Sequence, residues 1–539
     1  MYQVSLSNSY FPAQTNLDIE EITVGDVLEN AAKRAPDYDA LVEVFDDGST
    51  GRRWTYHALL SDSILLGRYL AQHYSPNERL AIWSPNSPEW VIFEFACAYA
   101  GLTMVTVNPS FQARELKYVL EQSGSVALFL VDEHRGNPMG DIAKKVAIDL
   151  EKLRKTVEID KLMDLARAAY GSGELEAFLP TVKPEDIAQI QYTSGTTGFP
   201  KGALLSHRGL VNNSRHTFVG AGFKEKSRYL TLWPLFHTAG CSASVIGGVQ
   251  LLFTNYVMPM FIPDAANRII DEEKIQVTGG VPTMAVAMLE SQKRISRDFS
   301  SLTYFFGAGS MVPPELSRVV SDAWDLTLTI IYGQTEAHPV ITMTRQSDNI
   351  TDLCETVGQP IEQTEVAIMD TNTHEIMPLD TQGEICCRGY LVMPGYNDNP
   401  EATAEAIDEN GWLHTGDLGS MDARGYVKIS GRVKEMIIKG GENLFPAEIE
   451  NCLLEHSDVA EIAVVGLPDD KYGEIVAAFI RLNSGLSGDI ALLKNHCRAE
   501  MSPQKTPSVW IFVDEFPLTG SGKIKRFEMR DRWVAGDYG

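Results

Sequence analysis

The chain has 539 residues, 44% of them hydrophobic and 22% charged, with a net charge of −26. That length implies two or more domains around a large core, and the composition is ordinary for a globular enzyme. The acidity excludes a general nucleic-acid binder, since a polyanion would meet no overall attraction. The charge is uneven. Residues 431–539 hold 13 Lys and Arg against 17 Asp and Glu, which leaves −22 on the longer N-terminal part. A polyanionic substrate must therefore meet locally focused cations, and the C-terminal segment is the better carrier of some. Seven cysteines (Cys97, Cys241, Cys354, Cys386, Cys387, Cys452 and Cys497) include no CxxC pair. An odd number without metal spacing predicts reduced, buried thiols in a cytoplasmic compartment. The N-terminal MYQVSLSNSY lacks a basic region and an apolar run. No signal peptide is expected there, and the C-terminal GDYG is not a peroxisomal address.

In chain order, apolar strand-like runs alternate with helical patterns. RLAIWSP (79–85), a helix from Pro88 to Ala100, LTMVTVNP (102–109), a helix from Ala113 to Gln122 and VALFLV (126–131) form a βαβαβ pattern. Such a pattern predicts parallel sheets covered by helices. The most apolar stretch, Val91 to Val107, is broken by Glu94 and Gly101, so it reads as a buried helix running into a strand and not as a membrane span. A second cycle follows in RYLTLWP (228–234), VTGGVP (277–282), FFGAG (305–309) and LTIIYG (328–333). FTNYVMPMF (253–261) is rich in Met and aromatic residues and reads equally well as pocket wall or as core. Shorter strands with hairpin signals from 357 to 430 predict a small β-rich subdomain. After Gly431 the pattern becomes a compact α+β unit, with helices expected from Pro446 to Glu455 and from Ile490 to Met501. The expected organisation is α/β: an N-terminal domain of parallel sheets with the β-rich subdomain (1–431), then a small, mobile α+β C-terminal domain (432–539).

Tyr192 to Gly202 reads YTSGTTGFPKG. Glycines let the backbone approach an anion, and free N–H groups, hydroxyls and a lysine bind phosphate oxygens. A surface turn is the bland alternative. The run is not a Walker loop, which needs GxxxxGK[ST]; Gly202 follows Lys201. The GSGKIK at 520–525 fails the same pattern. Four further stretches follow in order: IYGQTEAHP (331–339), GWLHTGDLG (411–419), GRVKEMIIKGGEN (431–443) and PLTGSGKIKR (517–526).

These motifs, in this order, resemble the adenylate-forming superfamily of acyl-CoA synthetases, peptide-synthetase adenylation domains and luciferases, over roughly residues 20 to 535. Within it, PNSPEW (85–90), VNPSFQARELKYVL (107–120), PLFHTAGC (234–241) and GGVPTM (279–284) are most similar to medium-chain fatty acyl-CoA synthetases. The resemblance implies a two-step reaction using ATP, Mg²⁺ and coenzyme A. A carboxylate displaces pyrophosphate to give acyl-AMP, and the coenzyme A thiol then displaces AMP. Positioned charge is the chief requirement of such phosphoryl chemistry.

The resemblance also implies roles. Thr193, Ser194, Gly195, Thr196, Thr197, Gly198 and Lys201 would hold the β- and γ-phosphates. Glu336 would bind Mg²⁺, which prefers carboxylate oxygens. Tyr332 would stack on adenine, with Gly333, Gln334 and Thr335 beside it and Gly307, Ala308 and Gly309 giving the base a flat backbone floor. Asp417 would accept both ribose hydroxyls, with Arg432 reaching the ribose or a phosphate; alone, Asp417 reads as a turn former. Lys523 is the expected catalytic lysine and Lys434 the interdomain hinge. Lys439, Gly440, Gly441 and Glu442 would meet coenzyme A. His237, a second catalytic candidate, and Thr238 would stand near the acyl pocket and the incoming thiol. Ala337-His338 departs from the small hydroxyl residue frequent after Thr-Glu, which suggests His338 as a polar element of that pocket. The leading expectation is an acid–CoA ligase for a medium-chain acid. Rivals are an aryl acid–CoA ligase, an enzyme loading a carrier-protein thiol, and a degenerate binding scaffold, the last disfavoured by intact Lys523, Glu336 and Asp417. A homo-oligomer is left open.

Overall fold

The computed structural model describes residues 2–176, 178–193, 200–308, 314–439, 442–469, 471–483, 485, 486, 488–518 and 523–538, with backbone alone at 314, 315, 327, 442 and 443. It divides into two compact units. The first is Met1–Gln3, Phe11–Val366 and Cys387–His414; the second is Val4–Tyr10, Ala367–Cys386 and Thr415–Gly539.

The first unit carries two α/β sheets. One has the order Lys155–Glu158, Ala127–Leu130, Arg79–Trp83, Thr103–Val107, Ile187–Thr193, Lys201–Ser206. Its members are parallel except for the last pair, an antiparallel hairpin. The expected βαβαβ run is its centre. The Val91–Val107 stretch forms the helix Pro88–Ala100, buried nearly all round, followed after Gly101 by the strand Thr103–Val107. The helix Ala113–Ser123 buries Leu116, Val119, Leu120 and Ser123, the i, i+3, i+4, i+7 stripe of a helix lying on a sheet.

The other sheet runs Gln359–Pro360, Val340–Met343, Thr327–Gly333, Tyr304–Gly307, Val277–Gly280, Arg228–Thr231, Thr254–Val257, Asp39–Val44, Thr50–Thr55. Its middle is parallel and both edges are antiparallel. The early hairpin at 39–55 therefore belongs to the second βαβ cycle. Phe253, Tyr256 and Met258 are at most 1% exposed, so residues 253–258 of this Met- and aromatic-rich segment are core, while Pro259, Met260 and Phe261 are half-buried.

In the second unit, Glu442–Leu444, Ile437–Lys439, Gly473–Leu482 and Val459–Asp469 form a sheet in that order, with Val509–Phe512 added in parallel on Gly473–Leu482. Among the described residues three α-helices belong to this unit, Pro446–Leu454, Ile490–Glu500 and Arg526–Ala535, and the first of them packs on the strand Val427–Arg432. The last switch between the units along the chain is at His414–Thr415. Among the described residues, no helix is long and apolar enough to cross a membrane.

Candidate active site

Ser194, Gly195, Thr196, Thr197 and Gly198, with Gly309, Gly440 and Gly441, lie outside the described residues. What is described is the base of the phosphate loop. Thr193 ends one strand, Lys201 begins the next, and the two are register partners across the hairpin. Thr193 thus stands at the carboxyl end of a strand that is parallel to its other neighbour, the usual place for a ligand in an open α/β sheet.

Tyr332 and Gly333 close the strand Thr327–Gly333 at the same kind of edge in the other sheet. Tyr332 is 8% exposed. Gly307, the last residue of the neighbouring strand, is in register with Ile330, and Ala308 follows it. Gln334 begins a tight loop, its N–H donating to the Pro339 carbonyl at 2.9 Å. Gly333 is required there, because a Cβ would sit 1.9 Å from the Pro339 oxygen. Inside the loop, Thr335–Ala337 make one 3₁₀ turn that carries Glu336. Asn213 braces the turn, donating to the Ala337 carbonyl at 3.1 Å and the Val340 carbonyl at 2.8 Å and accepting from Val340 N–H at 3.0 Å.

Glu336 is 9% exposed, and its Oε1 accepts the Tyr396 hydroxyl at 2.8 Å. Oε2 has no protein partner among the described residues. A buried carboxylate with one oxygen held by a neutral donor and one left over suits a hard cation that keeps most of its own waters, as Mg²⁺ does. Tyr396 also carries the Lys201 ammonium 5.0 Å from its ring centroid, within cation–π range. Burial raises the Tyr396 phenol, and the Glu336 charge raises it further. The sequence reading missed Tyr396 and Asn213; the only trace of the former was an aromatic residue in the turn-rich PGYNDNP.

His338 is held by two hydrogen bonds. It is fully buried, with Nε2 accepting Ser206 N–H at 3.1 Å and Nδ1 bonded to the Leu391 carbonyl at 2.6 Å. Burial lowers its pKa to about 4, against a small opposing effect of the Leu391 bond. The ring fits because residue 209 is glycine; a Cβ there would meet it at 2.3 Å. His338 therefore ties the 334–339 loop to the hairpin that Lys201 begins.

His237 is half-buried and Thr238 buried. They lead into the π-helix Ala239–Ile246, a wide turn frequent at functional sites. The His237 carbonyl accepts the N–H groups of Gly240 at 2.9 Å and Cys241 at 3.1 Å. Behind it runs a buried polar chain: Gln189 donates to Glu94 at 2.7 Å, and Gln191 donates to Gln189 at 2.8 Å and to the Cys241 sulfur at 3.1 Å. Burial raises Glu94 far above the ordinary carboxylate range, its bond to Gln189 opposing only in part.

The second unit holds the other expected residues. Asp417 and Arg432 are register partners in the hairpin Leu413–Met421/Val427–Arg432, and Arg432 Nε lies 2.8 Å from Asp417 Oδ1. Lys434 is exposed in the 3₁₀ turn Val433–Glu435. Lys439 Nζ donates to the Gln504 carbonyl at 2.9 Å; of Glu442 only the backbone is described, paired with Lys439. Lys523 is exposed at the foot of a loop closed by a Leu518–Ile524 bridge and by Lys525 N–H to the Pro517 carbonyl at 2.8 Å. Arg526 pairs with Glu450 at 2.8 Å and Glu435 at 3.3 Å, tying the helix after this loop to the turn that contains Lys434.

Two α/β sheets with a phosphate-type loop, a strand-end tyrosine and a buried carboxylate at their carboxyl edges define a nucleotide-dependent enzyme. The chain belongs to the AMP-binding enzyme family, whose model matches residues 28–397, with the AMP-binding enzyme C-terminal domain matching 448–523. It is 36% identical to the putative acyl-CoA synthetase YngI of Bacillus subtilis over 95% of this chain and 97% of the relative. It is 34% identical to the mitochondrial medium-chain acyl-CoA ligase ACSF2 of Rattus norvegicus over 97% of this chain and 89% of the relative. Among solved structures, the o-succinylbenzoate CoA synthetase MenE of Bacillus subtilis with its acyl-adenylate OSB-AMP superposes with a TM-score of 0.81 at 26% identity, covering 95% of this chain and 99% of that one.

Proposed function

We propose that this enzyme activates a medium-chain fatty acid. It is an ATP-dependent acid–CoA ligase that uses Mg²⁺: the carboxylate takes the adenylyl group of ATP, pyrophosphate leaves, and the coenzyme A thiol then displaces AMP from the acyl carbonyl. In this reading Lys201 and the loop it follows bind the β- and γ-phosphates. Glu336 holds Mg²⁺, which supplies charge neutralisation on those phosphates. Tyr332 and the 307–309 backbone take adenine. Asp417, oriented by Arg432, takes the ribose. Lys523 bridges the carboxylate and the α-phosphate as charge shifts between them. Lys434 is the pivot about which the C-terminal residues exchange Lys523 for a coenzyme A face that includes Lys439 to Glu442. The observation that carries the nucleotide part is the placement of Glu336 and Lys201 on one tyrosine, at the foot of the phosphate loop.

The size of the acid rests on the match to a medium-chain acyl-CoA ligase along nearly the whole chain. An aryl acid is the second reading, favoured by the likeness to o-succinylbenzoate CoA synthetase. A cytoplasmic location is supported by seven free, buried cysteines. The test is a panel of C2 to C16 acids and cinnamates with ATP and coenzyme A. An apolar tunnel gains about 0.8 kcal/mol per methylene, so kcat/KM should climb about fourfold per CH₂ and level off at medium length. A flat fatty-acid profile with fast turnover of cinnamates would replace the first reading by the second. AMP release that ignores coenzyme A would point to a carrier-protein thiol.

A further inference from the structure

Segment 393–403 is stitched to both halves of the phosphate end of the site. Met393 N–H donates to the Glu336 carbonyl at 2.9 Å, Leu204 N–H to the Gly395 carbonyl at 3.0 Å, and Asn397 N–H to the Gly202 carbonyl at 2.7 Å. Tyr396 N–H donates to the Thr403 hydroxyl at 2.9 Å. These bonds lay residues 395–397 along the strand that Lys201 begins, Ala203 and Tyr396 forming a bridge, and they fix the backbone of Tyr396 without help from its side chain. That side chain is then free to serve two charges at once. Its hydroxyl meets Glu336 Oε1 at 2.8 Å and its ring faces the Lys201 ammonium at 5.0 Å.

We propose that Tyr396 is a positioning residue that presets the Glu336 carboxylate for the metal and the Lys201 ammonium for the phosphates. A carboxylate on a one-turn loop can rotate about its side-chain bonds. A hydrogen bond to Oε1 restricts that rotation and leaves Oε2 to serve a ligand. An aromatic face beside a lysine narrows the volume its ammonium samples while leaving all three N–H donors available. The hydroxyl therefore serves metal-dependent nucleotide binding, and the ring serves phosphate binding with or without metal. This proposal rests on the reading of Glu336 as the metal-binding carboxylate.

The test is equilibrium binding by titration calorimetry to the full-length enzyme, without acid or coenzyme A, of three ligands: ATP with Mg²⁺, ATP with EDTA, and AMP. Tyr396→Phe keeps the ring and loses the donor. Its Kd for Mg·ATP should rise about tenfold, the scale of a hydrogen bond to a charged group, while metal-free ATP and AMP stay within about twofold. Tyr396→Leu should in addition weaken metal-free ATP about threefold, the scale of an exposed cation–π contact, and still bind AMP normally. Glu336→Gln separates this proposal from the reading beneath it. If Glu336→Gln weakens Mg·ATP and Tyr396→Phe does not, Tyr396 has no positioning role and the Glu336 reading stands. If neither weakens it, the Glu336 reading falls and takes the proposal with it. Equal weakening of all three ligands by Tyr396→Phe would mark a merely structural tyrosine and overturn the proposal. The double variant gives a second readout of the coupling. Two groups acting through one carboxylate are not additive, so Glu336→Gln/Tyr396→Phe should bind Mg·ATP no more weakly than Glu336→Gln, and additive losses would refute the coupling.

Discussion

Glu336 and Lys523 show two ways of holding a charged group. Glu336 sits 9% exposed on a turn closed by backbone bonds, braced by Asn213 and held by Tyr396. Lys523 stands exposed at the foot of a short loop. A group that must meet the triphosphate the same way every time gains from being preset, because no reorganisation is then needed as charge develops. A group wanted for one half-reaction and unwanted in the next gains from exposure, because it can be withdrawn at little cost. The first unit is built in the first manner and the 431–525 segment of the second unit in the other: Lys434 and Lys523 are exposed, and Arg432 has a side chain 47% exposed even while paired to Asp417.

The largest effect expected from breaking this contrast is at Lys523. Lys523→Ala should lower acyl-AMP formation by about 10²–10³, the usual loss for one preorganised donor, and leave coenzyme A attack on supplied acyl-AMP nearly intact. Half-reactions measured separately decide this; equal losses in both would remove Lys523 from the adenylation step. Next comes Lys434. If the backbone pivots there, Lys434→Pro fixes φ near −65° and traps one arrangement. Pyrophosphate exchange should persist while overall acyl-CoA formation falls by about 10². Lys434→Ala should be far milder, and matching behaviour of the two variants would place the defect in the side chain instead of the pivot.

A smaller effect is expected at Asp417, a first-unit style of site placed in the second unit. Its side chain is 6% exposed, and its pairing with Arg432 is set by hairpin register. Asp417→Asn keeps the shape and removes the charge that strengthens hydrogen bonds to a ribose. The Kd for AMP should rise about tenfold, read by calorimetry, with little change in Tm because Arg432 can turn to water. An unchanged Kd would strip Asp417 of the ribose role.

The parts of this molecule legible in the sequence are those written in local pattern. The strands and helices from Arg79 to Leu130 appear within two residues of expectation because apolar periodicity fixes them. The turn carrying Glu336 was visible because a short motif encodes a short loop, whereas Asp417, which alone reads as a turn former, lies in the strand Leu413–Met421. What stayed hidden is long-range. Tyr396 is 60 residues from Glu336 in the chain, and no spacing rule links them. The 39–55 hairpin joins a sheet whose other strands begin near residue 228, and only tertiary packing decides that. The two partners of His338, Ser206 and Leu391, are likewise distant in sequence.

His338 supplies the smallest and finest test of a preset first unit. An ordinary histidine titrates near 6.5, and both His338 and His207 are held by burial at about 4. Between those pH values the unfolded chain binds protons that the folded chain does not. Stability is therefore fully present above about pH 6.5, falls as the pH drops, and loses this dependence below about 4, where both states are protonated. Each such histidine contributes a slope of up to about 1.4 kcal/mol per pH unit inside the window. His338→Gln can still accept from Ser206 and donate to Leu391, yet cannot titrate. Urea unfolding of the variant between pH 6.5 and 5 should therefore show a shallower acid slope than wild type. His207, His216 and His134, all lowered by burial, still contribute to what remains, and Glu94, whose buried carboxyl gains a proton on folding, opposes them. The midpoint at pH 7.5 should shift only modestly, and Mg·ATP affinity should stay within about threefold if the amide preserves the loop. Parallel pH profiles for the two proteins would mean that His338 is protonated in the folded state, and the 334–339 loop would then be held by a charge instead of by a neutral, fully bonded ring.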